Sequence, residues 1–172
     1  MSRYGILLLL VLLPSAAEAQ QSIVVVRHAE RQTGEGDDGL SEAGRSRAER
    51  LASMLKDAGV THVFVSDRRR TLETAEPLAR LLNLPPSRIA IPEQGRGRIE
   101  PAELQVRATL LAISRLPRTA VVLVVGHSNT VPMFLTRLGY TRRITIPDAE
   151  FDNLFVVTPR ATREPAVMRL RF

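Results

Sequence analysis

The stretch that decides the fold is Ala-Val-Val-Leu-Val-Val-Gly-His, residues 120–127. It begins with six consecutive apolar residues, most of them β-branched, which is typical of a strand buried on both faces of a parallel sheet. Ser22 to Val26 is a second run of this kind, and it precedes Arg27-His28. Thr61 to Val65 is a third, and it precedes Ser66. The sequence therefore predicts at least three buried strands that end at polar or basic residues.

Amphipathic helical patterns lie between these strands. The first has an N-cap at Ser41 and a stop at Gly59, and the second contains Pro77, which predicts a kink or a restart. Two further patterns begin near Pro101 and Asn129. The remaining strand candidates are Ile89–Ile91 and a terminal hairpin or edge pair, Leu154–Val157 with Val167–Leu170. Strands that alternate with helices predict one α/β domain, a three-layer α/β/α sandwich with a mainly parallel central sheet.

Composition narrows the classes of function. The chain has 172 residues, 44% of them hydrophobic, which suits one ordinary globular domain. Its formal net charge is +6, and Lys56 is the only lysine, so arginine carries nearly all of the positive charge. Arginine pairs with phosphate through two parallel hydrogen bonds, which favours a small phosphorylated substrate. The aromatic content of 4% argues against nucleic acid as a partner, and the absence of cysteine excludes a thiol nucleophile.

The first 19 residues have the pattern of a secretory signal peptide. A basic start at Arg3 is followed by the apolar run Ile6–Leu13 and by the cleavage pattern Ala17-Glu18-Ala19. The apolar run is too short to span a bilayer, which needs about 20 residues. We therefore expect cleavage after Ala19, a domain over residues 20–172, no stable membrane insertion after cleavage and a periplasmic or secreted location. An uncleaved anchor or an unusual first strand is the alternative.

Chain order predicts where the polar residues at the strand ends meet. In an open α/β sheet the ligand crevice lies at the carboxyl ends of the strands. Arg27-His28, Ser66–Arg70 and Gly126-His127 all follow strands, so we expect two histidines and at least two arginines at one edge of the sheet. The N–H groups of the helix after Asn129 also favour an anion there. A histidine beside a bound phosphate can act as a nucleophile and form a covalent phosphoenzyme.

A metal site is the competing interpretation of the two histidines. His28 and His127 lack the spacing of ligands on one helix, and the charge of Arg27 would repel a cation. We therefore expect neither a metal nor another cofactor.

Four segments resemble motifs of the histidine phosphatase superfamily, whose fold is phosphoglycerate mutase-like. They occur in the family's order, and with the signal pattern the chain is similar to its small exported bacterial phosphatases. Val26–Glu30 resembles the Arg-His-Gly motif, with Ala29 where many members have glycine. The other three are Leu40–Gly44, similar to Leu-Ser/Thr-x-x-Gly, Ser66–Ala75, similar to Ser-x-x-x-Arg-Ala-x-x-Thr-Ala, and Gly126–Asn129, similar to the second-histidine motif.

The resemblance implies a role for each residue of the phosphate site. His28 would be the phosphorylated nucleophile. Arg27, Arg70 and His127 would surround the phosphate without a metal ion. Glu30 would either orient the arginine or face solvent.

The residue that protonates the leaving group is the open role, because such a step needs a carboxyl group within reach. Glu93 matches the family's glutamate by position and is the tentative general acid. Glu30, Glu100 and Asp152 are the fallback candidates. A phosphohistidine substrate would need such an acid less, because its leaving group is already a good one.

The sequence thus predicts an exported phosphatase that hydrolyses phosphomonoesters, with sugar phosphates among the candidates. The alternatives are a phosphohistidine-protein phosphatase and a non-catalytic anion-binding module on the same fold. A phosphoglycerate mutase fits poorly, because secretion would remove it from glycolysis. The loops Gln32–Gly39 and Pro92–Arg98 are expected to set specificity, and the physiological substrate, the pH optimum and the oligomeric state stay open.

Overall fold

The computed structural model describes residues 21–33, 38–160 and 163–172, so the predicted signal peptide lies outside the described residues. The strands are β1 Ser22–Arg27, β2 His62–Ser66, β3 Ser87–Ile89, β4 Val121–Gly126, β5 Asn153–Thr158 and β6 Ala166–Arg171. The helices are α1 Glu42–Leu55, α2 Arg69–Leu81, α3 Pro101–Ser114 and α4 Thr130–Arg137. None of the helices in these ranges is long and apolar enough to cross a membrane.

The strands form one sheet in the order β3-β2-β4-β1-β5-β6. The first four strands of the chain are parallel, and β5 and β6 are antiparallel, which confirms the mainly parallel sheet and the terminal hairpin. β4 lies between β2 and β1, with Val125 opposite Val26 and Gly126 opposite Arg27. The carboxyl ends of β1 and β4 are therefore adjacent and level.

Helices cover both faces of the sheet, which confirms the three layers. Side chains alternate along β1, so that Ile23 and Val25 enter one core and Val24 and Val26 enter the other. α3 and α4 pack on the first core, and α1 and α2 pack on the second. Full burial of each such side chain contributes about 1.5–3 kcal/mol. β1 and β4 are nearly unbroken apolar runs because both of their faces are buried.

The structure excludes a restart of the helix at Pro77 and moves one predicted strand. α2 runs through Pro77 without a restart, since Ala75 and Leu78 on either side of it are fully buried and their packing offsets the lost backbone hydrogen bond. The third strand lies at Ser87–Ile89 rather than Ile89–Ile91. Its residues are exposed or half-buried, so no hydrophobic pattern marks its register with β2.

Candidate active site

Two histidines stand side by side where β1 and β4 end. The main-chain N–H of His28 donates to the carbonyl of Gly126 at 2.9 Å, which extends the strand pairing by one residue. The rings of His28 and His127 lie with their centroids 5.3 Å apart, and the side chains are buried, at 5% and 8% exposed. The convergence predicted from chain order is therefore present in the structure.

A cavity of about 530 Å³ opens over this edge of the sheet. That volume exceeds what a phosphate group fills, so there is room for the rest of a small substrate. Its lining combines the two histidines and two arginines with Glu100, the start of α4 and an apolar wall; the wall is formed by Ile91, Pro101, Ala102 and Met133.

The ring of His28 is held in one tautomer. Its Nδ1 lies 2.8 Å from the carbonyl oxygen of Ala29. A carbonyl can only accept, so Nδ1 carries the proton and Nε2 keeps its lone pair. The N–H of Ala29 donates to Oγ1 of Thr74 at 2.9 Å, which ties this turn to α2. Burial is the main cause that lowers the pKa of His28 to about 3; the hydrogen bond to Ala29 opposes this shift and neighbouring positive charges add to it. The ring is therefore neutral near pH 7.

His127 is held by side chains instead. Its Nε2 lies 3.0 Å from Oγ of Ser66, whose hydroxyl lies 3.0 Å from Oγ1 of Thr71. Its main-chain N–H donates to Oγ1 of Thr130 at 2.8 Å. A Cβ on Gly126 would lie 2.7 Å from the same Oγ1, so glycine at that position leaves room for this bond. Burial, and then the charges of nearby arginines, lower the pKa of His127 to about 4.

Arg27 is a buried cation without a carboxylate partner among the residues that the structure describes. Its side chain is 6% exposed, and one guanidinium nitrogen donates to three main-chain carbonyls of the segment 147–150. Nε is buried and has no acceptor within the described part of the chain. Burial lowers the pKa of Arg27, with the charge of Asp148 opposing that shift. Arg27 lies beside the cavity and is not among its lining residues.

Arg70 lies in the first turn of α2, half-buried, and lines the cavity. Its positive charge lowers the pKa of His127 and, after larger effects, that of His28. Arg68, to which the motif gives no role, also lines the cavity. Its position two residues after the end of β2 is the signal that identifies it. Arg69 instead pairs with Glu73 at the surface.

Glu30 does not line the cavity. Its carboxylate accepts from Nε and from a terminal nitrogen of Arg47 at distances of 2.6–3.0 Å. Its carbonyl accepts from the N–H of Ser41 at 2.9 Å, and a Cβ on Gly44 would lie 2.0 Å from the same oxygen. Glycine at residue 44 therefore allows the start of α1 to pack against the backbone of Glu30, which follows β1. The ion pair with Arg47 joins Glu30 to the same helix.

The four acidic candidates for the proton donor lie in different places. Glu93 is exposed on the loop after β3 and is not among the lining residues, so its role as general acid stays a prediction. Asp152 pairs with Arg171 at the sheet edge. Of these four carboxylates, Glu100, next to the start of α3, is the one that lines the cavity. Within the described ranges no group of three or more metal-ligating side chains is placed to hold a metal ion.

Fold and site together define a class: an α/β sandwich in which two buried histidines, a buried arginine and further arginines lie at one edge of the sheet. Residues 23–91 match the model of the histidine phosphatase superfamily (branch 1). The match runs from β1 to just beyond β3 and covers less than half of the chain.

Curated relatives match over part of the chain. A probable phosphoglycerate mutase of Erwinia tasmaniensis is 38% identical over 64 residues, which is 33% of this chain and 30% of that protein. Phosphoglycerate mutase-like protein 4 of Arabidopsis thaliana is 45% identical over 65 residues, 33% of this chain and 28% of that protein. The matches thus span less than a third of the length of these relatives.

Solved structures match over nearly the whole chain. The protein histidine phosphatase SixA complexed with tungstate has a TM-score of 0.64 and 23% identity, covering 87% of this chain and 96% of that one. A putative alpha-ribazole-5'-P phosphatase from Escherichia coli K-12 has a TM-score of 0.66 and 16% identity, covering 89% and 97%. At these identities the likeness shows the shared fold.

Proposed function

We propose that this chain is an exported phosphatase that hydrolyses phosphomonoesters through a covalent phosphohistidine at His28. The observation that carries the proposal is the fixed tautomer of His28. Its Nδ1–H donates a hydrogen bond to the carbonyl of Ala29, and because the ring is neutral, the Nε2 lone pair is available to attack phosphorus.

The surrounding charges suit phosphoryl transfer. The Nε2–P bond forms while the P–O bond to the leaving group breaks, and the leaving oxygen takes a proton. Arg27, Arg70 and the N–H groups at the start of α4 would stabilise the phosphoryl oxygens. Water then attacks phosphorus, the Nε2–P bond breaks, and phosphate and a neutral His28 result. Glu100, which lines the cavity, would give the first proton and take one from water in the second step.

The comparisons support this chemistry. The family description and the names of several structural neighbours are those of phosphatases. One neighbour is a mycobacterial glucosyl-3-phosphoglycerate phosphatase, with a TM-score of 0.63 and 15% identity. We include sugar phosphates among the substrates to be tested on this ground. Export rests on the signal pattern of the first 19 residues.

The test is to trap the intermediate. Protein beginning at Gln20 is incubated with a phosphomonoester labelled in its phosphate and quenched with base. We expect label that is stable to base and labile to acid in the wild type, and none in His28→Ala. The matched control is His62→Ala, because His62 lies at the opposite end of β2 and contacts Thr61 rather than the cavity. This variant should trap label like the wild type.

Other outcomes would point to the alternatives. Label from a phosphohistidine peptide but from no phosphomonoester would favour a phosphohistidine-protein phosphatase. Tight binding of inorganic phosphate with no label and no turnover across a broad panel would favour a binding module. Failure to recover exported material processed near Ala19 would contradict export without affecting the chemistry.

A further inference from the structure

The segment before β5 reaches the phosphate site because of the sheet's register. β5 runs antiparallel beside β1, with Leu154 opposite Val26. The residues that precede β5 therefore arrive at the carboxyl end of β1, next to Arg27. This segment, residues 147–151, contains none of the four sequence motifs, and sequence reasoning assigns it no role.

The contacts of this segment converge on one side chain. A single terminal nitrogen of Arg27 donates to the carbonyls of Pro147, Asp148 and Glu150 at 3.0, 2.9 and 2.9 Å. The ring of Phe151 lies with its centroid 4.0 Å from Cζ of Arg27. We call the three carbonyls and this ring the Arg27 cradle.

The cradle holds the guanidinium without neutralising it. Carbonyl oxygens and an aromatic face carry no net charge, so the positive charge of Arg27 stays available to an anion. Arg27 makes these three bonds through one terminal nitrogen, Nη1. The other terminal nitrogen, Nη2, and Nε form a separate edge of the guanidinium. That edge is the fork that matches two phosphate oxygens, and within the described residues neither of its nitrogens makes a hydrogen bond.

Phe151 also contacts the nucleophile. Its ring centroid lies 6.1 Å from that of His28, with the planes tilted by 55°. One aromatic side chain thus packs against both the buried arginine and the histidine that we propose to be phosphorylated.

We propose that the Arg27 cradle is a working part of the phosphate site and that Phe151 is a positioning residue for Arg27 and His28. This inference rests on the proposed function, since it assigns the cradle to the same phosphate. Losing the ring leaves the guanidinium free to tilt on its three carbonyl bonds, so the fork is no longer held in one orientation.

The experiment compares Phe151→Leu, Phe151→Met and Phe151→Tyr with the wild type. The dissociation constant of inorganic phosphate is measured by calorimetry, and kcat/KM is measured with a phosphomonoester. We expect Phe151→Leu and Phe151→Met to weaken phosphate binding and lower kcat/KM about tenfold, and Phe151→Tyr, which keeps the ring, to stay within about twofold. Two aliphatic variants are used so that a folding defect in one, seen in its thermal transition, does not decide the result.

The matched control is Phe172→Leu. The ring of Phe172 lies 5.8 Å from Cζ of Arg47, a similar aromatic–arginine contact away from the cavity. It should leave both constants unchanged. Wild-type constants in a folded Phe151→Leu or Phe151→Met, or an equal loss in Phe172→Leu, would overturn the cradle inference while the proposed function stands. A wild type that neither binds phosphate nor turns over the ester would instead overturn the proposed function.

Discussion

The ends of β1 and β4 each present a buried histidine, but they hold it by different kinds of partner. His28 donates from Nδ1 to a main-chain carbonyl, which can only accept. His127 contacts through Nε2 the hydroxyl of Ser66, which can either donate or accept. The first arrangement fixes one tautomer, and the second permits the ring to change its proton arrangement in place.

In the proposed reaction, this difference would separate the roles of the two histidines. A nucleophile needs a permanent lone pair, and the carbonyl of Ala29 guarantees one on Nε2 of His28. A group that contacts a phosphoryl oxygen needs to offer a proton once the anion is present. The hydroxyl of Ser66 lets His127 do so, because it can pair with Nε2 whether or not that nitrogen carries hydrogen.

Removing each histidine separately should have the largest effect, and it tests whether His28 and His127 have different roles. We expect His28→Ala to lower kcat/KM by about 10⁴-fold or more, because the attacking atom is gone. His127→Ala should cost about 10²–10³-fold, as for the loss of one charge-stabilising donor. The measurement is steady-state kinetics together with base-stable label. Label should survive in His127→Ala and vanish in His28→Ala, and the opposite pattern would exchange the two roles.

The next prediction concerns which carboxyl group protonates the leaving group. Glu100→Gln should lower kcat/KM about 10²-fold for alkyl phosphates and less for nitrophenyl phosphate, whose leaving group needs little protonation. Glu93→Gln is the matched control, since it makes the same change on the exposed loop. A larger loss in Glu93→Gln would show that this loop closes over the cavity and would support the sequence-based assignment.

The centre of the fold could be predicted from sequence because β1 and β4 are almost continuous apolar runs. Runs such as Ser22 to Val26 are buried on both faces, so hydrophobicity alone marks them. β3 could not be placed, since its three residues are not buried and its register depends on β2. Pro77 suggests a break, but buried neighbours on α2 outweigh its local preference.

Sequence reasoning found the site residues that follow strands and missed those whose role depends on packing. His28, His127 and Arg70 converge because parallel strands end at one edge. The carbonyls around Arg27 carry no side-chain signal, and only the β1–β5 register brings them there. Position along the chain favours Glu93 as the general acid and leaves Glu100 as a fallback. In the structure it is Glu100, beside the start of α3, that lines the cavity.

The pH dependence of stability distinguishes His28 from His127 without any substrate. Both histidines have pKa values below the ordinary 6.5, about 3 for His28 and about 4 for His127. Between about pH 4 and 6.5 the unfolded state therefore binds more protons than the native state. The stability that each neutral ring contributes is fully present above pH 6.5 and is lost as the pH falls through this window.

Urea unfolding from pH 3.5 to 7 measures this effect. His127→Gln and His28→Gln should each flatten the slope of the unfolding free energy by up to about 1.4 kcal/mol per pH unit below pH 6.5. The His127→Gln effect should fade near pH 4, and the His28→Gln effect should extend lower. Slopes equal to the wild-type slope would contradict burial of neutral rings.

The smallest expected effect comes from changing Ser66, because this change removes only the hydrogen-bond partner of the His127 ring. Ser66→Ala should lower kcat/KM about fivefold to tenfold, since His127 loses the group that pairs with Nε2 in both of its proton arrangements. In Thr71→Val the Ser66 hydroxyl loses its other side-chain acceptor, so its proton is directed to His127 and the loss in kcat/KM should be smaller. Steady-state kinetics and nitrogen NMR of the His127 ring check both variants. If Thr71→Val costs as much as Ser66→Ala, the two hydroxyls only pack the site, and the ends of β1 and β4 hold their histidines alike.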